Sequence, residues 1–418
     1  MQRIAVIGAG AAGCFCAAEL RRCLPRARVD VFEAGSRPLA KVAVTGGGRC
    51  NLTNSFEFIG PLSEAYPRGA HLMKRLLRTF SQEDACRWFE AAGVPLVLQD
   101  DQCVFPRSQD AMDIVHALLR RMDGVNLHLR TPVRYVRPAR TPNQVGGDES
   151  VMPGSTGHLT GNLLVDGEPF DAVVVTTGGA PKGLPLLDGL DLEWVPTVPS
   201  LFTFTVKDEK LRALMGLVAD VDVAIPGTPF KAWGALLITD WGLSGPAVLK
   251  LSSYAARYLA ETGYKAPLTV TWTVGGEAGA RASLTAKSAG NPQRLIANTP
   301  PSGLPARLWN YLITKSGVRP DIRWAELGSK GFNRLVHILL QDTYEIAGKT
   351  KFREEFVTCG GVALGNVNPA TLESKRHPGL YFAGEVLDID AITGGFNLQA
   401  AWTTGYMAAH SIAKKLGD

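Results

Sequence analysis

The residues best spaced for chemistry stand near the start of the 418-residue chain. Gly8-Ala9-Gly10-Ala11-Ala12-Gly13 follows the apolar run Ile4-Ala5-Val6-Ile7, a helical pattern continues to about Arg22, and Val29-Asp30-Val31-Phe32-Glu33 comes next. That order predicts strand, glycine turn, helix, strand. Gly8 permits the tight turn, Gly10 lets a pyrophosphate approach the backbone, and Gly13 lets the helix pack closely on the sheet. The helix start at Ala11 and Ala12 offers unpaired N–H groups and a positive dipole end to the anion. Glu33, about 20 residues further on, can accept hydrogen bonds from both hydroxyls of an adenosine ribose and would repel a 2′-phosphate. A plainer reading, in which the glycines serve only packing, loses ground once strand, helix and acid all stand in place.

A second stretch has an unusual texture for core or surface: Lys41-Val42-Ala43-Val44 leads into Thr45-Gly46-Gly47-Gly48-Arg49-Cys50-Asn51-Leu52-Thr53-Asn54. Three consecutive glycines expose backbone amides, and the polar side chains crowd beside them. An ordinary loop tolerates such glycines but does not require the apolar lead-in and the polar run, so the pattern favours ligand contact. Cys50 invites a redox reading, yet no partner thiol stands close in sequence; its plain role is a small side chain in a tight loop.

The Gly-Gly-Gly-Arg-Cys-Asn-Leu-Thr-Asn string resembles the signature of the BaiN/RdsA-type family of NAD(P)/FAD-dependent flavoproteins. Similar to that family are also Gly242-Leu243-Ser244-Gly245-Pro246, Thr358-Cys359-Gly360-Gly361-Val362, Glu373-Ser374-Lys375, the Gly379 to Asp388 stretch and Thr393-Gly394-Gly395-Phe396-Asn397-Leu398-Gln399. The likeness runs from end to end in the same order. It implies an α/β fold: a Rossmann-type, glutathione-reductase-like FAD-binding domain made from both chain ends, with an inserted β-barrel domain and a small helical domain. It implies noncovalent FAD, with NAD(P)H as a transient reductant, and no single substrate. Two departures matter. Leu39-Ala40 stands where the family usually has Gly-Arg, which puts an arginine contact there in doubt, and Asp240 stands where a histidine is common.

Under that resemblance, Thr177-Gly178-Gly179, the turn ending the Ala172 to Thr177 strand and running on through Ala180-Pro181, lies near the adenine-pyrophosphate part of FAD; a simple chain reversal would look the same. Leu380 to Ala383 reads as a buried strand. Gly384 can then bring its amide near the pyrophosphate or ribityl chain, and Glu385 and Asp388 can bind ribityl hydroxyls. Gly394-Gly395-Phe396-Asn397 precedes a helix from about Leu398 to Lys415 whose N-terminus would face the flavin N1 and C2 oxygen, favouring the negative charge of reduced flavin. Lys41, Arg49 and Asn51 are the best candidates beside the flavin, as neighbours rather than catalysts. No catalytic acid or base is assigned.

The elements that must hold these residues divide as 1–194 and 349–418 for the FAD-binding domain, 195–275 for a barrel, and 276–348 for the helical insert and return. Residues 55 to 136 read as connecting helices: Leu72, Met73, Leu76, Leu77 and Phe80 make one apolar face, and Ser81-Gln82-Glu83-Asp84 resembles a capping box. Val104 to Ser108 introduces a helix to about Met122; its Arg107 could approach the cofactor, but a surface arginine near a helix start is favoured. Strands near Asn126 to Val136 and Leu163 to Thr177 flank a long exposed hairpin loop at 138 to 162. From Val195 short strands follow: Leu201 to Val206, Val218 to Ile225, Leu236 to Thr239 and Leu268 to Val274. Gly242 to Pro246 reads as a turn into a helix from Ala247 to Leu259, Pro246 taking its first position, with backbone or Ser244 contacts near the flavin or substrate as the other reading. Gly275-Gly276-Glu277-Ala278-Gly279 has the wrong glycine spacing for a second fingerprint. The basic residues of 280 to 348 read as a solvated face.

Composition bounds the rest. Forty-five per cent hydrophobic and 20 per cent charged residues suit a globular protein, and a net charge of +5 permits an acidic partner without implying one. Seven cysteines without a CxxC pair point to a reducing compartment, read as cytoplasmic. No run of about 18 apolar residues suggests a membrane span, and the histidines show no metal-ligand spacing, so neither membrane nor metal is expected. The expected activity is an FAD-dependent oxidoreductase moving hydride to or from flavin N5, with a small-molecule substrate bound between barrel and flavin. Reduction of a conjugated double bond leads, oxidation of a small amine follows, and a flavin-bearing RNA-binding or RNA-modifying protein is a third reading. The absence of a dense Lys/Arg block with interleaved aromatics weighs against a nucleic-acid partner.

Overall fold

The computed structural model describes residues 1–139, 163–179, 184–350 and 357–417. The expected loop at 138 to 162 falls almost wholly outside them, as do Ala180 and Pro181 of the second glycine turn. The chain forms two compact units, Met1–Val198 with Val357–Asp418, and Pro199–Phe356.

The first unit is built on five parallel strands in the order Leu380–Phe382, Ala172–Val175, Arg3–Ile7, Arg28–Phe32, Asn126–His128. The apolar runs of Ile4–Ile7, Ala172–Val175 and Leu380–Phe382 are continuous because a parallel sheet buries both faces. The register aligns Ile7 with Phe32 and Val175, and Val175 with Phe382. The residues that follow, Gly8, Glu33, Thr176 and Ala383, therefore leave the sheet at one edge, the carboxyl edge where open α/β sheets bind ligands. The fingerprint helix Ala11–Cys23 packs against the terminal helix Phe396–Leu416; a Cβ on Gly405 would lie 2.8 Å from the Ala12 carbonyl, so the helices meet where glycine allows it. Phe15 fills the space beside them, its ring 5.5 Å from Phe80, 4.5 Å from Trp88 and 5.6 Å from Trp402.

The capping box at Ser81 is present in full: the Asp84 amide donates to the Ser81 hydroxyl and the Ser81 amide to the Asp84 carboxylate, opening the helix Gln82–Ala91. The expected strand from Leu163 to Thr177 is instead three. Leu163–Val165 and Glu168–Phe170 form a hairpin turning at Asp166-Gly167, and only Ala172–Val175 joins the parallel sheet. Asp166 and Gly167 both have positive φ, the turn signal that the strand reading passed over.

The second unit is a closed six-stranded barrel in the order Phe204–Val206, Gly242–Ser244, Lys231–Ile238, Val218–Ala224, Ala266–Thr271, Asp342–Lys349. Gly242 to Ser244 is thus a barrel strand rather than a turn, pairing Leu243 with both Phe204 and Ile238. Pro246 does open the following helix, which breaks at Ala255 before Ala256–Glu261. The strand expected from Leu236 begins at Lys231. Asp342–Lys349, expected within the helical stretch, closes the barrel; Tyr344 and Ile346 point inward while Thr343 and Glu345 are exposed, a period-two pattern that the helical reading overran. The helices Gly276–Gly290, Ala306–Lys315 and Gly328–Leu340 are inserted between two barrel strands and share one core with the barrel, through Leu268, Ile346, Leu308, Trp309 and Leu335 among others.

Candidate nucleotide and flavin site

The three fingerprint glycines have three different physical reasons. Gly8 has φ +108°, and a Cβ there would lie 2.5 Å from the Thr176 carbonyl of the neighbouring strand. A Cβ on Gly13 would lie 1.9 Å from the Gly8 carbonyl. Gly10 has nothing within 4 Å of that position, so one glycine faces open space at the helix start, where no side chain caps the amides. Thr176, which the sequence reading missed, ties the turn to its neighbour by donating from Oγ1 to the Gly8 carbonyl at 2.8 Å.

Glu33 is already engaged. Its carboxylate accepts from the Ala9 amide at 2.8 Å and from the Gly35 amide at 2.6 Å, clamping the glycine turn. An ionised carboxylate offers about four acceptor sites, so a lone pair on each oxygen is left for a vicinal diol.

The glycine-rich stretch is a broken helix. It starts at Leu39, whose amide donates to the Ala9 carbonyl at 2.8 Å, and kinks where Gly46 and Gly47 turn left-handed at φ +60° and +68°. Gly46 and Gly47 are exposed, and Gly47 and Gly48 have open space where a side chain would stand. Lys41 projects toward Glu385, with 3.9 Å between Nζ and Oε2. The Arg49 guanidinium lies over the Phe105 ring at 4.7 Å and donates from Nε to the Gly46 carbonyl at 3.2 Å. Cys50 is fully buried, and burial pushes its thiol up to about 12, so it is protonated and unreactive at neutral pH.

Two more strand ends complete the edge. Thr177 carries a buried hydroxyl with no hydrogen-bond partner among the described residues, beside Gly178 at φ +74°. Gly179 faces Thr358, and Glu385 accepts the Thr358 amide at 2.6 Å through Oε1. Both Glu385 oxygens therefore have protein partners, an amide and the Lys41 ammonium, which the reading of Glu385 as a bare ribityl ligand did not foresee. The Gly384 amide likewise donates to Thr404 Oγ1 at 2.8 Å, while its missing side chain lets it approach Ala12; its contribution is close approach rather than a free donor.

The C-terminal glycines have packing reasons of their own. The sequence reading takes the pair as the lead-in to a helix start facing the flavin. Yet a Cβ on Gly395 would lie 2.4 Å from the Thr53 carbonyl, and one on Gly394 would lie 2.9 Å from the Phe396 ring. Packing onto Asn51 and Thr53 explains Gly395, and the ring of Phe396 explains Gly394. Around them Asn54 Nδ2 donates to the Gly394 carbonyl at 3.2 Å, Thr53 Oγ1 to Gln399 Oε1 at 2.6 Å, and Trp402 Nε1 to the Leu52 carbonyl at 3.0 Å. With its amide oriented to donate to the Thr53 carbonyl, Asn51 accepts from the Gly395 amide at 3.3 Å. Asn397 clamps its own loop, accepting from the Ala391 amide and donating to the Ala391 carbonyl, each at 2.9 Å. Phe396 is buried, Leu398 packs on the core, and the Asp388 amide donates to the Val362 carbonyl at 3.0 Å. The same loop is fixed by an ion pair between half-buried Arg68 and buried Asp390, Nε to Oδ1 at 2.6 Å, which no local signal in the sequence discloses.

Among the described residues, Glu19, Cys23 and His410 bring ligand atoms within 4.8 Å of one another, behind the fingerprint helix. Glu19 is 1% exposed, and its carboxylate accepts from His410 Nε2, Arg22 Nη2 and Trp88 Nε1, each at 2.8 Å. Burial opposes its ionisation, but hydrogen bonds from His410, Arg22 and Trp88 outweigh it and hold the carboxyl at about 2. Three donors occupy the carboxylate, one of them a guanidinium, so the cluster reads as an ion-pair network. No helix of the described residues is long and apolar enough to cross a membrane.

An open glycine at an uncapped helix start, an acid with lone pairs to spare and an orphaned buried hydroxyl share one sheet edge, and together they fit a dinucleotide carrying an adenosine diphosphate. A Rossmann-type FAD-binding unit of this kind, drawn from both chain ends, defines an FAD-dependent oxidoreductase. The chain belongs to the HI0933-like Rossmann family, whose model matches residues 2–411. It is 29% identical to the ribosomal RNA dihydrouridine synthase of Escherichia coli (strain K12), over 97% of each chain. It is 28% identical to the 3-dehydro-bile acid delta(4,6)-reductase of Clostridium scindens, over 99% of this chain and 100% of that one. A ribosomal RNA dihydrouridine synthase of Haemophilus influenzae is 29% identical over 98% of each.

Proposed function

We propose that the chain reduces a carbon–carbon double bond conjugated to a carbonyl group, with NAD(P)H as the source of hydride. The observation that carries this reading is a chemistry common to the names of its full-length relatives. A dihydrouridine synthase and a delta(4,6)-reductase both saturate a carbon–carbon bond. Bound FAD would supply the two-electron carriage between donor and substrate.

In this reading Gly8, Gly10, Ala11, Ala12 and Gly13 receive the pyrophosphate, Glu33 the adenosine ribose, and Thr177 to Gly179 the neighbouring part of the nucleotide. Lys41, Thr45 to Asn51 and the Gly384 to Asp388 turn line the remainder, with Gly394 to Leu398 bracing the Asn51 segment. Cys50 holds its proton and takes no part in electron transfer. A reducing, cytoplasmic setting suits a chain with five buried thiols.

Two relatives named for ribosomal RNA favour a second, nested reading: the reducible bond belongs to a uracil in RNA, whose C5–C6 bond is itself conjugated to a carbonyl. Anaerobic stopped-flow mixing tests both. NADH or NADPH should bleach the flavin absorbance within the mixing experiment, and a conjugated enone or a uridine-containing RNA should restore it without oxygen. Bleaching by small amines, with NADH and NADPH both inert, would replace this proposal with an amine oxidase.

A further inference from the structure

The second unit carries a basic groove to which nothing above gives a task. A cavity of about 450 Å³ is lined by Lys315, Lys330, Asn333, Arg334, His337 and Ile338 among others, and no carboxylate lines it. Five of these residues come from one helix, Gly328–Leu340, at spacings of three, four, seven and eight from Lys330 that put them on a single face. Its opposite face, Leu335, Val336 and Leu339, is buried, so the cationic side is turned outward by core packing.

The charges are not all free, and the difference is informative. Lys315 sits with Nζ 2.5 Å from Asp342 Oδ1 and 3.5 Å above the Tyr344 ring, so its charge is balanced from beneath. Arg281 pairs with Glu277 at 2.8 Å and spends another donor on Asn333 Oδ1 at 3.0 Å, leaving the Asn333 amide nitrogen outward. Lys330 and Arg334 have no carboxylate partner among the described residues; Arg334 gives one nitrogen to the Gly317 carbonyl at 3.3 Å and keeps the rest of its fork. Two unneutralised cations about 6 Å apart along the helix axis, with amide and imidazole donors beside them, match successive phosphates on one strand rather than a single compact anion.

We propose that this groove binds the phosphate backbone of RNA, an inference that rests on the RNA reading of the substrate. It departs from the expectation that these basic residues form only a solvated face. The contacts are to phosphate, so they would position a strand without reading its sequence.

The test uses the full-length flavoprotein and a fluorescein-labelled single-stranded RNA of mixed sequence containing uridine, followed by anisotropy across a salt series. Lys330→Glu/Arg334→Glu should weaken binding at low salt by about tenfold or more and shrink the slope of log K against log salt by about 1.4, two phosphates at roughly 0.7 each. Lys330→Arg/Arg334→Lys should retain both, and Lys74→Glu/Arg75→Glu, reversing exposed charges in the other unit, should retain the slope. Flavin absorbance and thermal unfolding establish that each variant is folded. Native affinity and slope in the Lys330/Arg334 reversal would overturn the groove while leaving the RNA reading intact. No RNA binding by the native protein at low salt would overturn both, while NADPH-driven reduction of a free enone would still stand. Equal competition by polyglutamate would identify an unspecific anion surface and overturn the inference as well.

Discussion

Replacing Glu33 separates two roles that the structure superimposes. The carboxylate accepts the Ala9 and Gly35 amides at 2.8 and 2.6 Å. Ala9 is buried, so Glu33→Ala leaves its amide without acceptor or water at about 1–3 kcal/mol, whereas the exposed Gly35 amide turns to solvent at little cost. FAD loses the acceptor for its ribose hydroxyls as well, about 1.5–3 kcal/mol or roughly 10- to 150-fold in Kd. Glu33→Gln keeps one acceptor oxygen but sets an NH2 against an amide donor. It should therefore lose nearly as much stability as alanine and less affinity for FAD. Denaturant unfolding of the flavin-free proteins, paired with calorimetric FAD titration, resolves the two effects. A Glu33→Ala protein that loses stability yet binds FAD within about twofold of native would show that the acid only braces the glycine turn.

Other expectations follow from the same geometry. Gly395→Ala, strained at φ +88° and driven against the Thr53 carbonyl, should cost at least about 2 kcal/mol, while Gly47→Ala, strained but with open space, should cost about 1 kcal/mol; thermal unfolding ranks them. Cys50→Ser should keep flavin binding and most turnover, and Cys50 should resist iodoacetamide at pH 8 in the folded protein, as read by peptide mass spectrometry. Glu19 titrates lower in the folded state than its ordinary value of 4.5, so its contribution is complete above that value and fades as pH falls from 4.5 through about 2. Glu19→Gln should lower stability at pH 7 by about 2–3 kcal/mol and flatten the acid limb of the stability curve; an unchanged acid limb would remove Glu19 from the account.

What the sequence disclosed and what it hid divide by the range of the interaction. The fingerprint, the Ser81 cap and Pro246 at a helix start are short-range constraints written within a few residues. Gly242 to Ser244 is too short to show alternation and becomes a strand only because Phe204 and Leu237 lie alongside it. Gly395 looked like a ligand feature because the residue that demands it, Thr53, is more than 300 residues away along the chain. Arg68 and Asp390 illustrate the same limit, since an ion pair needs both partners and neither carries a local signature.

The contact between the fingerprint helix and the terminal helix also sets an order of events during synthesis. The face of the first helix bearing Ala12, Phe15 and Cys16 leaves the ribosome well before its cover, Phe396–Leu416, is made. At about 5–20 residues per second, the roughly 370 intervening residues take about 20–75 s to translate. Throughout that interval an apolar helix face and an edge of the parallel sheet await Leu380–Phe382 and the terminal helix. The barrel unit, whose strands and core all lie between Pro199 and Phe356, can meanwhile close on its own contacts. The nascent chain thus carries a finished domain in the middle of an unfinished one, and the nucleotide cradle comes into being only once Leu380–Phe382 and Phe396–Leu416 have emerged.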